Sequence, residues 1–294
     1  MMEARSREWY DLQYTPSKWC KRMPTDEVVP YHVKLCQERS KITRQNLNEK
    51  QAELDVPYGP DGAKMDIFYP KKADQENSPV VVFVHGGLWQ EGNKEMHGFV
   101  SNSWVNAGFI AAIVGYNLAP EASMDDMVTE IQASVEFLAK KFPESKLFLC
   151  GHSAGAHLCA MTAVRSWYDS SSVPQAIHGV CLLSGIFDLT PLLNTHANDA
   201  VKLDESSAAR YSPLLILKQA VPRTSCPTLV AVEEYGSPEF IRQSKVFAEA
   251  LENHGVQCIF LQVPGVDHFN LIEEMFNSDH SISKEIVKLV HGES

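Results

Sequence analysis

A serine between glycines has the setting in this chain that most clearly indicates chemistry. The run GHSAG occupies residues 151–155, directly after an apolar strand candidate at 146–150 and before a helix-like segment. A serine on such a sharp strand-to-helix turn stands clear of the sheet at the positive end of a helix, where its hydroxyl can attack a carbonyl carbon. The pattern predicts that Ser153 is the nucleophile of a serine hydrolase.

A second glycine-rich run predicts the groups that stabilise the negative charge formed in such an attack. HGGLW occupies residues 85–89 and follows another apolar strand candidate. Glycines in this position let backbone N–H groups face a cavity, and we expect an oxyanion hole formed by the N–H groups of Gly87, Leu88 and Ala154. Trp89 is interpreted either as an aromatic wall of the substrate site or as a core residue.

The general base is predicted late in the chain, beyond the last strand candidate at 257–263. His268 lies there in the run PGVDHFN, in a loop at the C-terminal edge of that strand. The other ten histidines lack this setting, and three of them belong to the nucleophile and oxyanion segments. We therefore predict that His268 takes the proton of Ser153.

The elements that must position these residues alternate between short apolar runs and longer runs of helical period. Strands are expected at 53–56, 65–69, 80–85, 109–116, 146–150, 179–184, 228–233 and 257–263, and helices at 124–142, 238–253 and 281–290. Apolar strands separated by helices indicate a mostly parallel central sheet with helices on both faces. Turn residues between the first two strands add an antiparallel hairpin at the sheet edge.

The whole chain, residues 1–294, is interpreted as a single domain. Residues 1–50 are interpreted as a mostly helical N-terminal arm. The polar and irregular segment 190–220 is interpreted as an insertion after a strand, and it is a candidate lid over the site.

Charge and composition exclude several classes of function. The formal net charge of −11 argues against nucleic acid or an anionic membrane as the main partner. No stretch approaches the ~20 apolar residues of a membrane span, and the charged N-terminus lacks the apolar core of a signal peptide. The seven cysteines form no CxxC pair, and no HExxH run or clustered ligand set indicates a metal. We expect a cytoplasmic protein without structural disulfides, metal or cofactor, and a homodimer is left open as its oligomeric state.

The chain resembles the kynurenine formamidases (arylformamidases), which are α/β-hydrolases related to esterases of the hormone-sensitive-lipase type. The resemblance extends from about Tyr14 to Glu274 and is carried by YTPSKW, VPYGPDGAKMDIFYP, HGGLWQEGNK, GYNLAP, CGHSAGAHL, LLSGIFDL, SPEFIRQSKVF and PGVDHF. It implies the α/β-hydrolase fold and the hydrolysis of N-formyl-L-kynurenine to L-kynurenine and formate in tryptophan degradation. It also implies a small aryl formamide as the partner and no cofactor.

One residue that the resemblance implies does not carry over. The family places its catalytic acid after the strand at 228–233, directly before SPEF, and this chain has Gly236 there. Glycine can neither orient an imidazole nor stabilise the imidazolium that forms in the reaction. The substitutes that we consider are, in this order, Glu234 through a local bulge, Asp188 and Glu239.

Two alternative functions remain open on the sequence. A general carboxylesterase acting on small acyl esters shares every predicted catalytic residue. A non-catalytic binding protein on the same fold is the other alternative, because a fold alone does not fix function and because Gly236 leaves the acid in question.

Overall fold

The fold is built on one eight-stranded sheet. The computed structural model describes residues 5–46, 51–59, 62–71, 77–168, 176–219 and 225–293. The strands are β1 (Ala52–Pro57), β2 (Lys64–Phe68), β3 (Val80–Val84), β4 (Ile110–Val114), β5 (Leu147–His152), β6 (Ile177–Leu183), β7 (Thr228–Tyr235) and β8 (Cys258–Asp267). Their order across the sheet is β1-β2-β4-β3-β5-β6-β7-β8.

Helices connect and cover the strands. They are α1 (Arg7–Gln13), α2 (Thr25–Gln45), α3 (Lys94–His97), α4 (Ser101–Asn106), α5 (Met124–Lys141), α6 (Ala154–Tyr168), α7 (Asn198–Val201), α8 (Glu205–Arg210), α9 (Pro213–Leu217), α10 (Pro238–Asn253), α11 (Asn270–Glu273) and α12 (Ser281–His291). None of the helices in the described ranges combines the length and apolar character needed to cross a membrane.

The predicted sheet is confirmed. β1 pairs with β2, and β2 with β4, in antiparallel orientation. All other neighbouring pairs are parallel: β4 with β3, β3 with β5, β5 with β6, β6 with β7 and β7 with β8. Each predicted strand and helix corresponds to an observed element. The largest difference is at β8, which continues to Asp267, so that His268 directly follows its last residue.

Alternate residues of β3 show how the sheet is buried on both faces. Val80, Val82 and Val84 pack in the core on the side of α5, α6 and α10. Val81 and Phe83 point to the other side, where they pack with residues of α4 and α12. Burial on both sides explains why all five residues of this strand are apolar.

The N-terminal arm is fastened to the loop that carries His268. Arg22, between α1 and α2, donates to Asp267 from Nε and to Glu273 from a guanidinium nitrogen, both at 2.8 Å. His32 Nδ1 lies 2.8 Å from the same Glu273 oxygen. The helical character predicted for residues 1–50 agrees with α1 and α2; residues 1–4 and 47–50 lie outside the described residues.

Both carboxylates of this ion-pair network are almost completely buried. The side chains of Asp267 and Glu273 are 4% and 1% exposed. Burial opposes ionisation of Glu273, but hydrogen bonds from His32 and Arg22 outweigh it and lower the pKa of the carboxyl. The pKa of Asp267 is also lowered despite its burial, by hydrogen bonds from Cys20, Asn270 and Arg22 together with the charge of Arg22. The arm therefore neutralises charges on either side of His268.

The segment predicted as a lid, 190–220, forms a 3-10 turn and helices α7, α8 and α9; residue 220 lies outside the described residues. It packs against the side of the sheet that carries α6. His157 Nε2 lies 2.7 Å from the Tyr211 carbonyl, and Gln90 donates to the Ala197 carbonyl at 2.8 Å.

We predict that Arg22→Met lowers the free energy of unfolding by about 3 kcal/mol at neutral pH, because it leaves two buried carboxylates short of a cation. The pKa values of both carboxyl groups are lowered in the folded state. The stabilisation is therefore fully present at a pH above the ordinary pKa values of the two groups, which is 4.5 for Glu273, and it is lost as the pH falls through the lowered pKa values of the folded state. Urea unfolding at pH 7 and near pH 4 measures the difference from the wild type.

The matched control for this prediction is Lys34→Met, on the same arm. Lys34 pairs with Glu38 at 4.0 Å with both side chains exposed, and its removal is expected to change stability by less than about 0.5 kcal/mol. Equal effects of the two substitutions, or an Arg22→Met effect that grows in acid, would contradict the assignment.

Candidate active site

Ser153 occupies the sharp turn that the sequence predicts. It lies between β5 and α6 with a φ of +56°, in the left-handed region that is strained for a residue with a side chain. Its N–H donates to the Leu183 carbonyl of the neighbouring strand at 2.9 Å, and its own carbonyl accepts from His157 N–H at 3.1 Å. The backbone of Ser153 is therefore fixed both by the sheet and by the first turn of α6.

The two glycines of GHSAG are required by contacts with neighbouring backbone. A Cβ on Gly155 would lie 2.1 Å from the Val84 carbonyl oxygen, and a Cβ on Gly151 would lie 2.4 Å from the Gly155 oxygen. Any side chain at either position would push the turn out of the sheet.

The segment after β3 turns in an unusual way. Gly87, Leu88 and Trp89 have φ values of +119°, +51° and +61°. Two of these residues carry side chains, so the conformation is strained and must be stabilised by other contacts. The Gly87 carbonyl accepts from the N–H groups of Gln90 and Glu91, both at 2.9 Å, and the Trp89 carbonyl accepts from Ala119 N–H at 2.8 Å.

This turn leaves N–H groups free at the predicted oxyanion hole. Among the described residues, no protein acceptor is found for the N–H groups of Gly87, Leu88 or Ala154. Gly87 and Leu88 line one cavity with Ser153, and Ala154 is the first residue of α6, where N–H groups have no acceptor within the helix. The three N–H groups therefore have no protein acceptor among the described residues, and their role as an oxyanion hole stays a prediction.

His85 sets the direction of one of these donors. Its Nδ1 lies 2.8 Å from the Gly86 carbonyl, which belongs to the same peptide unit as Gly87 N–H. In a trans peptide the N–H and C=O groups point in opposite directions, so fixing the carbonyl also aims the N–H. Burial lowers the pKa of His85 to about 4, and the ring stacks on Tyr116 with a centroid distance of 4.5 Å.

Trp89 is not an aromatic wall of the cavity, so the structure favours its interpretation as a core residue. Its side chain is completely buried, and its indole N–H donates to His157 Nδ1 at 3.2 Å. His157 lies in α6, so the indole packs against that helix, and Trp89 is not among the residues that line the cavity. Trp89 therefore anchors the strained turn.

His268 is held by two partners at the same ring nitrogen. Its Nδ1 lies 3.2 Å from Glu233 Oε1 and 2.8 Å from Ser184 Oγ. All three side chains are buried. The second ring nitrogen, Nε2, lies on the opposite side of the imidazole, which is the geometry required of a base whose Nδ1–H is oriented by an acid.

Glu233 keeps its charge in this buried position. Complete burial opposes ionisation, but the charge of the His268 ring and hydrogen bonds from His268 and Ser184 outweigh it and lower the pKa of Glu233. A buried ionised carboxylate beside the imidazole is the feature that the sequence lacked at Gly236.

The structure corrects the predicted acid. The Glu234 carboxylate accepts from Gly265 N–H at 2.7 Å at the surface and does not reach His268. Asp188 binds the N–H and hydroxyl groups of Thr190, and Glu239 pairs with Arg242.

The predicted bulge does exist, since the register of β7 against β8 shifts between Glu233 and Tyr235. It is Glu233, however, whose carboxylate lies beside His268. Gly236 is the reason that Glu233 fits: a Cβ there would lie 2.4 Å from Glu233 Oε1 and 2.6 Å from its Cγ.

The segments that carry Ser153 and His268 are connected through His152. Its Nε2 lies 3.0 Å from the His268 carbonyl oxygen, and the two rings have a centroid distance of 4.6 Å. Burial and the neighbouring His268 ring lower the pKa of His152 far below its usual value, so it stays neutral. Ser153 and His268 line the same cavity.

That cavity has a volume of about 350 Å³, within the range of small-molecule sites. One wall comes from the oxyanion segment and from Met96 and His97. The N-terminal arm contributes a second part of the lining, through Thr15, Pro16, Ser17, Val29, His32 and Val33. No described residue of 190–219 lines the cavity. The N-terminal arm covers the site, and the segment 190–220, which the sequence suggested as a lid, does not.

Sequence reasoning missed three contributors to this site, which are Glu233, Ser184 and the arm. A carboxylate that directly follows the apolar run LVAV within a strand, as Glu233 does, was a usable signal, because a buried charge requires a partner. No comparable signal marks the arm. Within the described residues, no cluster of three or more His, Cys, Asp and Glu side chains could hold a metal ion.

Comparison with known proteins gives a consistent result. The BD-FAE family model matches residues 65–234. A kynurenine formamidase of Danio rerio is 37% identical over 291 residues, covering 98% of each chain. Among solved structures, a candidate thioesterase from Silicibacter sp. TM1040 has a TM-score of 0.80 at 25% identity over 96% of this chain and 98% of its own. An esterase of Pyrobaculum calidifontis has a TM-score of 0.72 at 20% identity over 90% of this chain and 93% of its own. The predicted α/β-hydrolase fold is confirmed.

We predict that Trp89→Phe lowers kcat without changing KM. It removes the donor to His157, costing about 1–3 kcal/mol of stability, and loosens the turn that holds Leu88 N–H. The fall in kcat is bounded by the roughly hundredfold cost of losing one oxyanion donor. Hydrolysis of p-nitrophenyl acetate measures both constants.

Val33→Ala is the comparison variant, since Val33 lines the cavity and its truncation is expected to raise KM. A rise in KM for Trp89→Phe as large as that for Val33→Ala would place the indole against the substrate after all.

Proposed function

The chain belongs to the kynurenine formamidase family, and on that premise we propose that it hydrolyses N-formyl-L-kynurenine to L-kynurenine and formate in tryptophan degradation. The observation that carries this choice of substrate is the similarity to the fish enzyme over nearly the full length of both chains. The cavity supports it, because nucleophile, base and oxyanion donors meet there.

The crowding around the nucleophile suits a formyl group. A Cβ on Gly86 would lie 2.9 Å from Ser153 Cβ, so the oxyanion segment lies directly against the attacking residue. A formyl carbon carries only hydrogen besides its oxygen and nitrogen, and it is the smallest acyl group that can enter. The aryl part of the substrate then extends toward the arm.

The proposed reaction proceeds through a formyl-enzyme. Ser153 Oγ attacks the formyl carbon while His268 Nε2 takes the hydroxyl proton, and the oxyanion accepts hydrogen bonds from the N–H groups of Gly87, Leu88 and Ala154. The C–N bond breaks as the imidazolium returns this proton to the departing arylamine. Water, deprotonated by the same imidazole, then attacks the formyl ester. The bond from the formyl carbon to Ser153 Oγ breaks, the imidazolium returns the proton to Oγ, and formate is released.

Glu233 is the proposed acid of this triad. Its role is to hold the Nδ1–H tautomer of His268 and to stabilise the imidazolium in both half-reactions. It supplies the charge that the resemblance implies at Gly236.

The compartment is proposed to be the cytoplasm. All seven cysteines are free thiols, and five of them are buried. This suits a reducing environment. The homodimer stays a prediction.

The test of function compares N-formyl-L-kynurenine with p-nitrophenyl acetate as substrates of the purified protein and of Ser153→Ala. We expect a higher kcat/KM for the formamide, and a loss in Ser153→Ala on the order of 10⁶ in kcat. Release of kynurenine is followed by absorbance. A strong preference for the ester would favour the general carboxylesterase, and failure of Ser153 to react with a fluorophosphonate probe would favour a non-catalytic protein.

The test of the acid compares two adjacent carboxylates. Glu233→Gln is expected to lower kcat by a factor on the order of 10² to 10⁴, because it removes the charge facing His268. Glu234→Gln keeps an acceptor for Gly265 N–H at the surface and is expected to leave kcat unchanged. Equal losses in the two variants would overturn the assignment.

A reciprocal exchange sharpens this test. Gly236→Asp alone is expected to be inactive, since its Cβ would collide with Glu233. Glu233→Gly alone is expected to be as impaired as Glu233→Gln. Combining the two is expected to restore part of the activity, because the new carboxylate has the vacated space. No recovery in a folded double variant would show that Gly236 and Glu233 are not coupled.

A further inference from the structure

Ser184 stands out because it carries a side chain in a backbone conformation that favours glycine. It directly follows β6 and has a φ of +51°. Its N–H donates to the Ala231 carbonyl at 2.7 Å, and the residue is completely buried. A strained, buried residue with a side chain persists when that side chain makes a contact that glycine cannot make.

The contact made by Ser184 is with the base. Its Oγ lies 2.8 Å from His268 Nδ1, closer than Glu233 Oε1 at 3.2 Å. A hydroxyl accepts a hydrogen bond and donates one at the same time. The Ser184 hydroxyl also contributes to lowering the pKa of the Glu233 carboxyl, which lies beside the same ring nitrogen.

We infer that Ser184 is a positioning residue of the reaction, which orients His268 together with Glu233. In this role the His268 Nδ1–H is shared between the Ser184 hydroxyl and the Glu233 carboxylate, the hydroxyl proton is directed to that carboxylate, and the two partners together fix the orientation of the imidazole. The inference rests on the proposed function, in which Glu233 is the acid. No proton is transferred to or from Ser184 in this role.

The position of Glu233 explains why a hydroxyl is needed. Glu233 extends its carboxylate from within a strand, at a distance of 3.2 Å from Nδ1 that is long for a charge-assisted hydrogen bond. Ser184 approaches from the next strand at a shorter distance. Two partners on two strands restrict rotation of the ring more than one flexible carboxylate does.

The residue before Ser184 supports the nucleophile. The Leu183 carbonyl accepts the N–H of Ser153 at 2.9 Å. The end of β6 therefore contacts the backbone of the nucleophile with one residue and the ring of the base with the next. This sets the separation between nucleophile and base.

The experiment compares Ser184→Ala with Ser184→Gly. Both remove the hydroxyl, but at a φ of +51° alanine keeps the backbone strain and glycine relieves it. We expect both to lower kcat roughly 10- to 100-fold with KM unchanged, since each loses one hydrogen bond to a group that becomes charged. Glycine is expected to be the more stable of the two in urea unfolding.

The matched control is Ser134→Ala, a buried serine in α5 whose hydroxyl donates to the Ile131 carbonyl at 2.7 Å, away from the cavity. It is expected to keep wild-type kcat. If Ser184→Gly recovers kcat, or if neither Ser184 variant loses it, the positioning role is wrong.

A double-mutant cycle with Glu233→Gln tests whether the two groups act as a pair. Ser184→Ala is expected to cost less in the Glu233→Gln background than in the wild type. Strictly multiplicative losses would mean that hydroxyl and carboxylate act independently, against the inference.

Failure of the proposed function can be told apart from failure of this inference. The cycle is run with N-formyl-L-kynurenine, with p-nitrophenyl acetate and with the rate of fluorophosphonate labelling of Ser153. If the formamide is not a substrate but ester hydrolysis and labelling still fall in the Ser184 variants, the proposed substrate is wrong and the role of Ser184 stands.

Discussion

The active site depends on one steric constraint, the close approach of the turn at Ser153 to the strand beside it. Gly155 lies against the Val84 carbonyl and Gly151 against Gly155, at distances that admit no Cβ. This contact sets Ser153 at the end of β5 with its backbone bonded to β6. The other residues of the site are arranged around Ser153, whose position is defined by these backbone contacts. Ser153 lies at the carboxyl ends of the parallel strands, where sites on such sheets are found.

His268 must be held beside Ser153, and the residues around His268 include several buried carboxylates. Glu233, Asp267 and Glu273 are all nearly inaccessible and all ionised, and they lie beside or near His268. Burying these carboxylates costs free energy, which is offset by contacts with Arg22, His32, Ser184 and the imidazole. Arg22 and His32 belong to the N-terminal arm, so the arm stabilises the buried charges near His268 in addition to lining the cavity. This explains why a segment from the start of the chain contacts the loop that carries the base.

The sequence was sufficient where the determining physics is local. The glycines of GHSAG and HGGLW, the apolar strands and the position of His268 after the last strand were all predicted, because each depends on residues a few positions apart. The arm as cavity wall was not predicted. The arm is attached through a contact between Arg22 and Asp267, which are 245 positions apart in the sequence. Periodicity in the sequence does not indicate contacts over such a separation.

Glu233 was not among the predicted acids, because the direction of a side chain cannot be read from strand alternation where a register shifts. The shift in β7 lies between Glu233 and Tyr235, so the face on which each side chain lies cannot be counted from Gly236. The choice between wall and core for Trp89 also stayed open on the sequence, because Leu88 and Trp89 both have positive φ values and the direction of the indole depends on them. Both questions arise at irregular backbone, which sequence patterns describe least well.

The imidazole requires a negative charge at Nδ1, and it does not require that charge to come from a given chain position. A carboxylate at residue 236 and one at residue 233 are alternatives for the same volume, because a Cβ at 236 would occupy the space of Glu233 Oε1. Glycine at 236 is then the condition under which Glu233, the proposed acid, can lie beside His268. The position at which the family motif expects a carboxylate is, in this chain, the position that must stay without a side chain for Glu233 to fit.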